Sequence, residues 1–210
     1  MKSKQLAFAV TGSLMTILFL YIVNLLTTPD HLWFIDPTFG ILHWPLAMAF
    51  AARGKVKQFA LYDSLLIIAF LFTENMLYSP DHPWFLYAAF AIVWWPILMF
   101  AGRFAKTFAM AVIGSVGVIA SYTLLNASLS PEFPWAIFPA FAVLWWPLAI
   151  YCGIVRQWFL FSVLGSVLSA VFFITLNALT TKEVWAIYPI FALSWWPLSM
   201  YYYARNRKTA

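Results

Sequence analysis

Charge is what this chain has least of. Only 9% of its 210 residues are Asp, Glu, Lys or Arg, against about 25% in an ordinary soluble domain. So few charges exclude a water-facing surface and place the chain in lipid. Cysteine is nearly absent too. Cys152 stands alone, so no intrachain disulfide can form. With only His31, His43 and His82 beside it, no zinc spacing exists. Cys152 in Tyr-Cys-Gly reads as inert packing, with palmitoylation as the alternative. No nucleotide loop, thiol pair or Ser-His-Asp set is visible. No catalytic residue, metal ligand or cofactor site is therefore assigned.

The net charge of +5 does not point to nucleic acid. Eleven of the twelve Lys/Arg lie before or between pairs of apolar segments or at the C-terminal end, and Lys182 alone lies in the opposite set of connectors. That asymmetry follows the positive-inside rule.

What the chain has in abundance is hydrophobic side chains (64%), aromatics (20%) and a repeat. A Trp-Pro dipeptide recurs at positions 44, 95, 146 and 196. Trp33, Trp84, Trp135 and Trp185 lie eleven residues before each. Asn24, Asn75, Asn126 and Asn177 precede those by eight or nine residues, and Ser13, Ser64, Ser115 and Ser166 lie eleven before the Asn. A fixed period near fifty means one structural unit copied four times. The units are 5–55, 56–106, 107–156 and 157–206.

Each unit holds two apolar stretches. The first members are 6–26, 59–78, 108–127 and 158–179; the second are 33–52, 84–102, 135–154 and 185–203. Each is long enough to cross about 30 Å of hydrocarbon. Backbone groups in lipid must be satisfied internally, so the stretches are helices. The expected fold is an all-α integral membrane protein with eight transmembrane helices, arranged as four tandem helical hairpins. Both termini are expected in the cytoplasm and the acidic connectors outside. Residues 1–26 read as the first helix, not a secretory signal, because they align with three later segments. An even helix count gives every unit the same orientation, so the repeats are parallel. Either a pseudo-fourfold ring around an axial cavity or a compact bundle satisfies this.

The first unit carries Tyr21-x-x-Asn24, then Trp33-Phe34-x-x-Pro37-x-x-Gly40. This resembles the small two-helix transmembrane domain of some bacterial sensor kinases and regulators. In that family the module usually occurs once, with a signalling domain attached; here four copies fill the chain. The later copies carry Trp-Trp-Pro where the family tends to glycine. The resemblance implies a bacterial inner-membrane module and assigns no catalytic residue.

The Ser/Asn stripe lies on one helix face, eleven residues being three turns. It serves either as interhelical glue or as a ring of four amides, Asn24, Asn75, Asn126 and Asn177, lining a polar cavity. Each helix proline frees the carbonyl four residues earlier, at Ile41, Ile92, Val143 and Leu193. Those carbonyls belong to a curved packing element or to a ligand pathway. The first Trp of each unit fits an interfacial belt. The pairs Trp94-Trp95, Trp145-Trp146 and Trp195-Trp196 sit too deep for that. They fill space between kinked helices or wall a pocket, where Trp94 and Trp95 would attract a cation.

Four ionisable residues break the repeat. Asp63 stands where other units have Gly12, Gly114 and Gly165. Glu74 replaces Val23, Leu125 and Leu176, Asp36 replaces Tyr87, Phe138 and Tyr188, and His43 replaces the first Trp of Trp-Trp-Pro. Asp63 and Glu74 share a stripe about 16 Å long, and Asp36 shares a face with His43. Charges in a bilayer pair or line a wet path. Asp63 also has a snorkelling explanation, being six residues from Lys57. Glu74 and His43 read as the deeper pair, suited to a ligand, an ion or a proton. The outer Asp30-His31 and Asp81-His82 pairs are a weak cue for metal.

The leading expectation is a small transporter or channel-like binder of an apolar or cationic solute, proton-coupled through Glu74. The other is a non-transporting sensor, immunity factor or accessory subunit docking lipid or a partner chain, including a second copy. An intramembrane enzyme would need a nucleophile beside a base, and His43 with Ser64 is the pair available.

Overall fold

The computed structural model describes residues 2–205. Arg207, Lys208 and residue 206, which closes the fourth expected unit, lie outside the described residues. Among the described residues every regular element is helical. The elements are α1 (Lys2–Thr27), α2 (Ile35–Ala52), α3 (Val56–Tyr78), α4 (Phe85–Ala101), a 3-10 segment (Gly102–Lys106), α5 (Phe108–Leu129), α6 (Ile137–Val155), α7 (Trp158–Thr180) and α8 (Ile187–Arg205).

Six of these are long and apolar enough to cross a membrane: α1, α3, α4 with the 3-10 segment, α5, α6 and α7. They run 19–24 residues at a mean hydropathy of 1.5–2.3. Helices α2 and α8 fall short of that measure. Asp36, His43 and two prolines dilute α2, and α8 is rich in Trp, Tyr and Ser.

Burial is inverted relative to a water-soluble protein. Phe8, Met15 and Leu26 are 70–80% exposed, while Ala9, Ala60, Ala111 and Ser162 are fully buried. Those four small residues are spaced by 51, and they let neighbouring helices approach closely. Large apolar side chains outside and small or polar ones inside are what a hydrocarbon solvent favours.

The chain divides into two compact units: residues 1–80 with 92–100, and residues 81–91 with 101–210. In the first, α1 packs on α2 and α2 on α3; in the second, α5 packs on α6, α6 on α7 and α7 on α8.

The connectors show why the Asn positions recur. Asn126 Nδ2 donates to the carbonyls of Ser130 (2.6 Å) and Phe133 (2.9 Å), and its Oδ1 accepts from the Ala136 N–H (3.0 Å). Asn24 does the same with Thr28, His31 and Phe34, and Asn177 with Thr181, Glu183 and Ala186. Asn75 donates to the Ser79 carbonyl at 2.5 Å. One amide thus satisfies orphan carbonyls after one helix and an orphan N–H at the start of the next. The Trp33 and Trp135 indoles donate to Thr28 and Ser130 hydroxyls in the same connectors (2.9 and 2.6 Å). These Trp stand just before their helices, not within them as the sequence suggests.

The basic turns close differently. Gly54 adopts φ 69° after α2, and Arg156 adopts φ 53° after α6. The following N–H groups, of Lys55 and Gln157, bond to the carbonyls of Phe50 and Cys152. Both are left-handed helix ends, which glycine adopts freely and arginine at a cost.

Candidate functional site

Three helical hairpins are held by one pair of devices. The carbonyl that proline frees is taken by the repeated serine of the partner helix: Ser13 to Ile41 (3.5 Å), Ser115 to Val143 (3.1 Å) and Ser166 to Leu193 (3.3 Å). Beside each serine a glycine leaves room for the indole of the Trp-Pro motif. Trp44 lies on Gly12, Trp146 on Gly114 and Trp196 on Gly165. The freed carbonyls Ile41, Val143 and Leu193 are therefore packing elements with partners.

A third contact joins successive repeats. In the second compact unit Trp145 of the third repeat also lies against Gly165 of the fourth, twenty residues on. Phe141 presents its ring to Trp145 edge-on at 6.0 Å and stacks on Phe172 at 4.2 Å. In the first compact unit the same cluster, between the first and second repeats, is rebuilt with ionisable groups. Phe39 stacks on Phe70 at 3.9 Å and meets His43 edge-on at 4.6 Å. His43 then meets Asp63, again twenty residues on: Nε2 lies 3.3 Å from Oδ1. The His and Asp replace the Trp and Gly of one contact, so two breaks in the repeat are one site.

The proton count of this site follows from its partners. His43 Nδ1 lies 2.7 Å from the Phe39 carbonyl, which can only accept, so Nδ1 carries a hydrogen. Nε2 then faces a carboxylate oxygen, and a further proton on either group would bridge them. Either imidazolium faces carboxylate or imidazole faces carboxylic acid; both states are neutral overall. Neither atom has a hydrogen-bond partner among the described residues. Asp63 is 4% exposed, and His43 is half-buried with the Phe39 ring edge-on against it. Losing the proton would leave a desolvated anion against an imidazole lone pair, which an apolar site penalises strongly.

The other expected site residues do not gather here. Asp36 is exposed in the first turn of α2, where the helix dipole favours an anion. Glu74 is half-buried and four residues from the end of α3, about 6 Å along the axis. Asp36 and Glu74 make no ion pair among the described residues; the pair that forms is His43 with Asp63. Trp94 is half-buried, and Trp95 is 38% exposed with its edge on Phe59 at 5.6 Å. Asn24, Asn126 and Asn177 are engaged by the connectors, as is Asn75 through Ser79. Among the described residues Ser64 Oγ makes no hydrogen bond, so it forms no nucleophile–base contact with His43. Among the described residues no three His, Cys, Asp or Glu side chains come together as a metal would require. His82 Nε2 instead lies 3.2 Å from the Tyr87 hydroxyl. Cys152 is fully buried.

Sequence reasoning missed the His43–Asp63 pairing by looking for partners on the same helix. The signal was present: both residues break the repeat, at a spacing that a Trp and a Gly share two units later.

The helices and their apolar exteriors are those of an α-helical membrane protein. Compared with protein-family models, curated proteins and solved structures, the chain matches none.

Proposed function

We propose that this chain is a multi-pass protein of a bacterial inner membrane. It crosses the bilayer eight times as four parallel hairpins, with both termini in the cytoplasm. It binds or carries a small apolar or cationic solute and couples that solute to a proton held by His43 and Asp63. The topology is supported by the basic turns and by the connectors that alternate with them. The coupling rests on one observation: a contact between half-buried His43 and buried Asp63, at a helix contact that is otherwise Trp on Gly. Protonated, the pair draws α2 and α3 together. Deprotonated, it drives them apart, so a proton and a solute can each bias the same contact. Glu74, nearer the outer end of α3, supplies a counter-charge for a cation rather than the coupling proton.

The test is exchange in proteoliposomes with a pH-sensitive dye in the lumen. A gradient of ethidium, an amphipathic cation, is expected to drive protons the opposite way. Asp63→Asn and His43→Gln are expected to lose that exchange while keeping their helical circular dichroism. A trace equal to that of protein-free liposomes, or one that survives both substitutions, refutes the reading.

A non-transporting sensor, immunity or accessory protein is favoured by a different observation. Tyr188, Phe191, Trp195, Tyr202 and Tyr203 of α8 are all exposed, and Trp195 has none of the cover that Trp145 finds on Gly165. Such a surface suits lipid headgroups or a partner chain.

A further inference from the structure

The contact between successive repeats has two halves, and each end of the repeat array carries one half without its mate. Two ring residues four apart on the second helix of a repeat form one half. They are Phe141 and Trp145 on α6, and Phe39 and His43 on α2. The first helix of the next repeat forms the other half. On α7 it is Phe161, Gly165 and Phe172, spaced by four and seven residues and so on one helix face. Phe161 meets Trp145 edge-on at 5.9 Å, Gly165 receives its indole, and Phe172 stacks on Phe141 at 4.2 Å. On α3, Phe70 stacks on Phe39 and Asp63 meets His43.

Helix α8 presents Phe191 and Trp195, edge-on to each other at 6.4 Å like Phe141 and Trp145, yet 66% and 57% exposed. Helix α1 presents Phe8, Gly12 and Phe19 at the places that Phe161, Gly165 and Phe172 hold three repeats later. Phe8 and Phe19 are 70% and 63% exposed. Gly12 has the Trp44 indole of its own hairpin at 3.5 Å and, among the described residues, no second indole within 4 Å, where Gly165 holds both Trp196 and Trp145.

We propose that these two faces are the sides of one interface, and that α8 of one copy docks on α1 of a second copy. The partner follows from continuity: the contact of α6 on α7 is carried on by the same residue types in the same order. Trp195 enters the open side of Gly12, Phe8 lies edge-on to it, and Phe19 stacks on Phe191. Lipid tails can cover either face, but they do not require the two to match. The interface is heterologous, so copies add head to tail. Its geometry rests on the eight-crossing topology proposed above, in which α8 runs antiparallel to α1 as α6 does to α7. It names the partner of the α8 surface and needs no proton exchange.

Phe19→Cys and Phe191→Cys chains with different tags, mixed in proteoliposomes and treated with a short membrane-permeant bismaleimide, test the contact. Buried Cys152 stays unlinked, and each variant mixed with wild-type chain gives the background. The pair should link well above that background. Phe8→Cys in place of Phe19→Cys should not link to Phe191→Cys, because residues 8 and 19 lie about 16 Å apart along α1. Energy transfer between labelled copies gives the strength. Trp195→Ala and Phe19→Ala should each weaken self-association about tenfold, with helical circular dichroism unchanged because both side chains are mostly exposed. Mixing these two variants should restore a strong pair, since α8 of the Phe19→Ala copy still fits α1 of the Trp195→Ala copy. Linking no better than background, or a mixture as weak as the separate variants, overturns the proposal. Linking through Phe8→Cys instead of Phe19→Cys overturns it and sinks the antiparallel topology as well. Linking absent while ethidium still drives proton exchange sinks the assembly alone. Linking present without exchange sustains the assembly and sinks the transport reading.

Discussion

Adding one methyl group at Gly165 should disturb this protein far more than adding it at Gly12, although the two glycines occupy the same place in their repeats. A Cβ at Gly165 would lie 2.8 Å from Trp196 Cζ3 and 2.9 Å from both Cη2 and Cζ3 of Trp145. Neither ring has room to retreat. They stack on each other at 6.4 Å, and Phe161 meets both edge-on at 5.9 and 5.5 Å. Overpacking of this kind costs about 1–3 kcal/mol, offset by about 1 kcal/mol of helix propensity gained on replacing glycine. Gly165→Ala should therefore be destabilised by up to about 2 kcal/mol. At Gly12 the nearest atom is Trp44 Cζ3 at 3.5 Å, ordinary contact. Gly12→Ala should be neutral or stabilised by up to about 1 kcal/mol. Unfolding by SDS in mixed micelles, followed by circular dichroism and tryptophan fluorescence, measures the difference. Equal midpoints for the two variants, or a more stable Gly165→Ala, would refute the indole-on-glycine packing.

Asn126→Ala removes three hydrogen bonds that hold the α5–α6 connector, so the same unfolding assay should show a loss of about 2–3 kcal/mol. Proteolysis near residues 130–134 should quicken in that variant. Cys152 is fully buried among helices. A membrane-permeant maleimide should label it only after denaturation, and mass spectrometry of the native protein should find the thiol unmodified.

Much of the architecture was legible without coordinates, because its causes are local. Scarce charge and long apolar runs require helices in lipid, whatever the packing. The recurrence of Asn was legible but its role was not: read as interhelical glue or a cavity lining, the amides instead reach four, seven and ten residues ahead into their own connectors. The prolines announced freed carbonyls, a local effect. The partner of each carbonyl was not legible: Ser115 and Val143 are 28 residues apart and meet because two helices cross there.

The site shows the same division. The sequence by itself singled out Asp36, His43, Asp63 and Glu74 as intrusions into an apolar repeat, because the cost of charge in hydrocarbon does not depend on tertiary detail. Which of them meet was decided by how α2 lies on α3. That packing joins His43 to Asp63, leaves Asp36 at an exposed helix start, and sets Glu74 toward the connector. Helical periodicity places residues on a face of their own helix. Only the crossing of two helices determines which face each one meets.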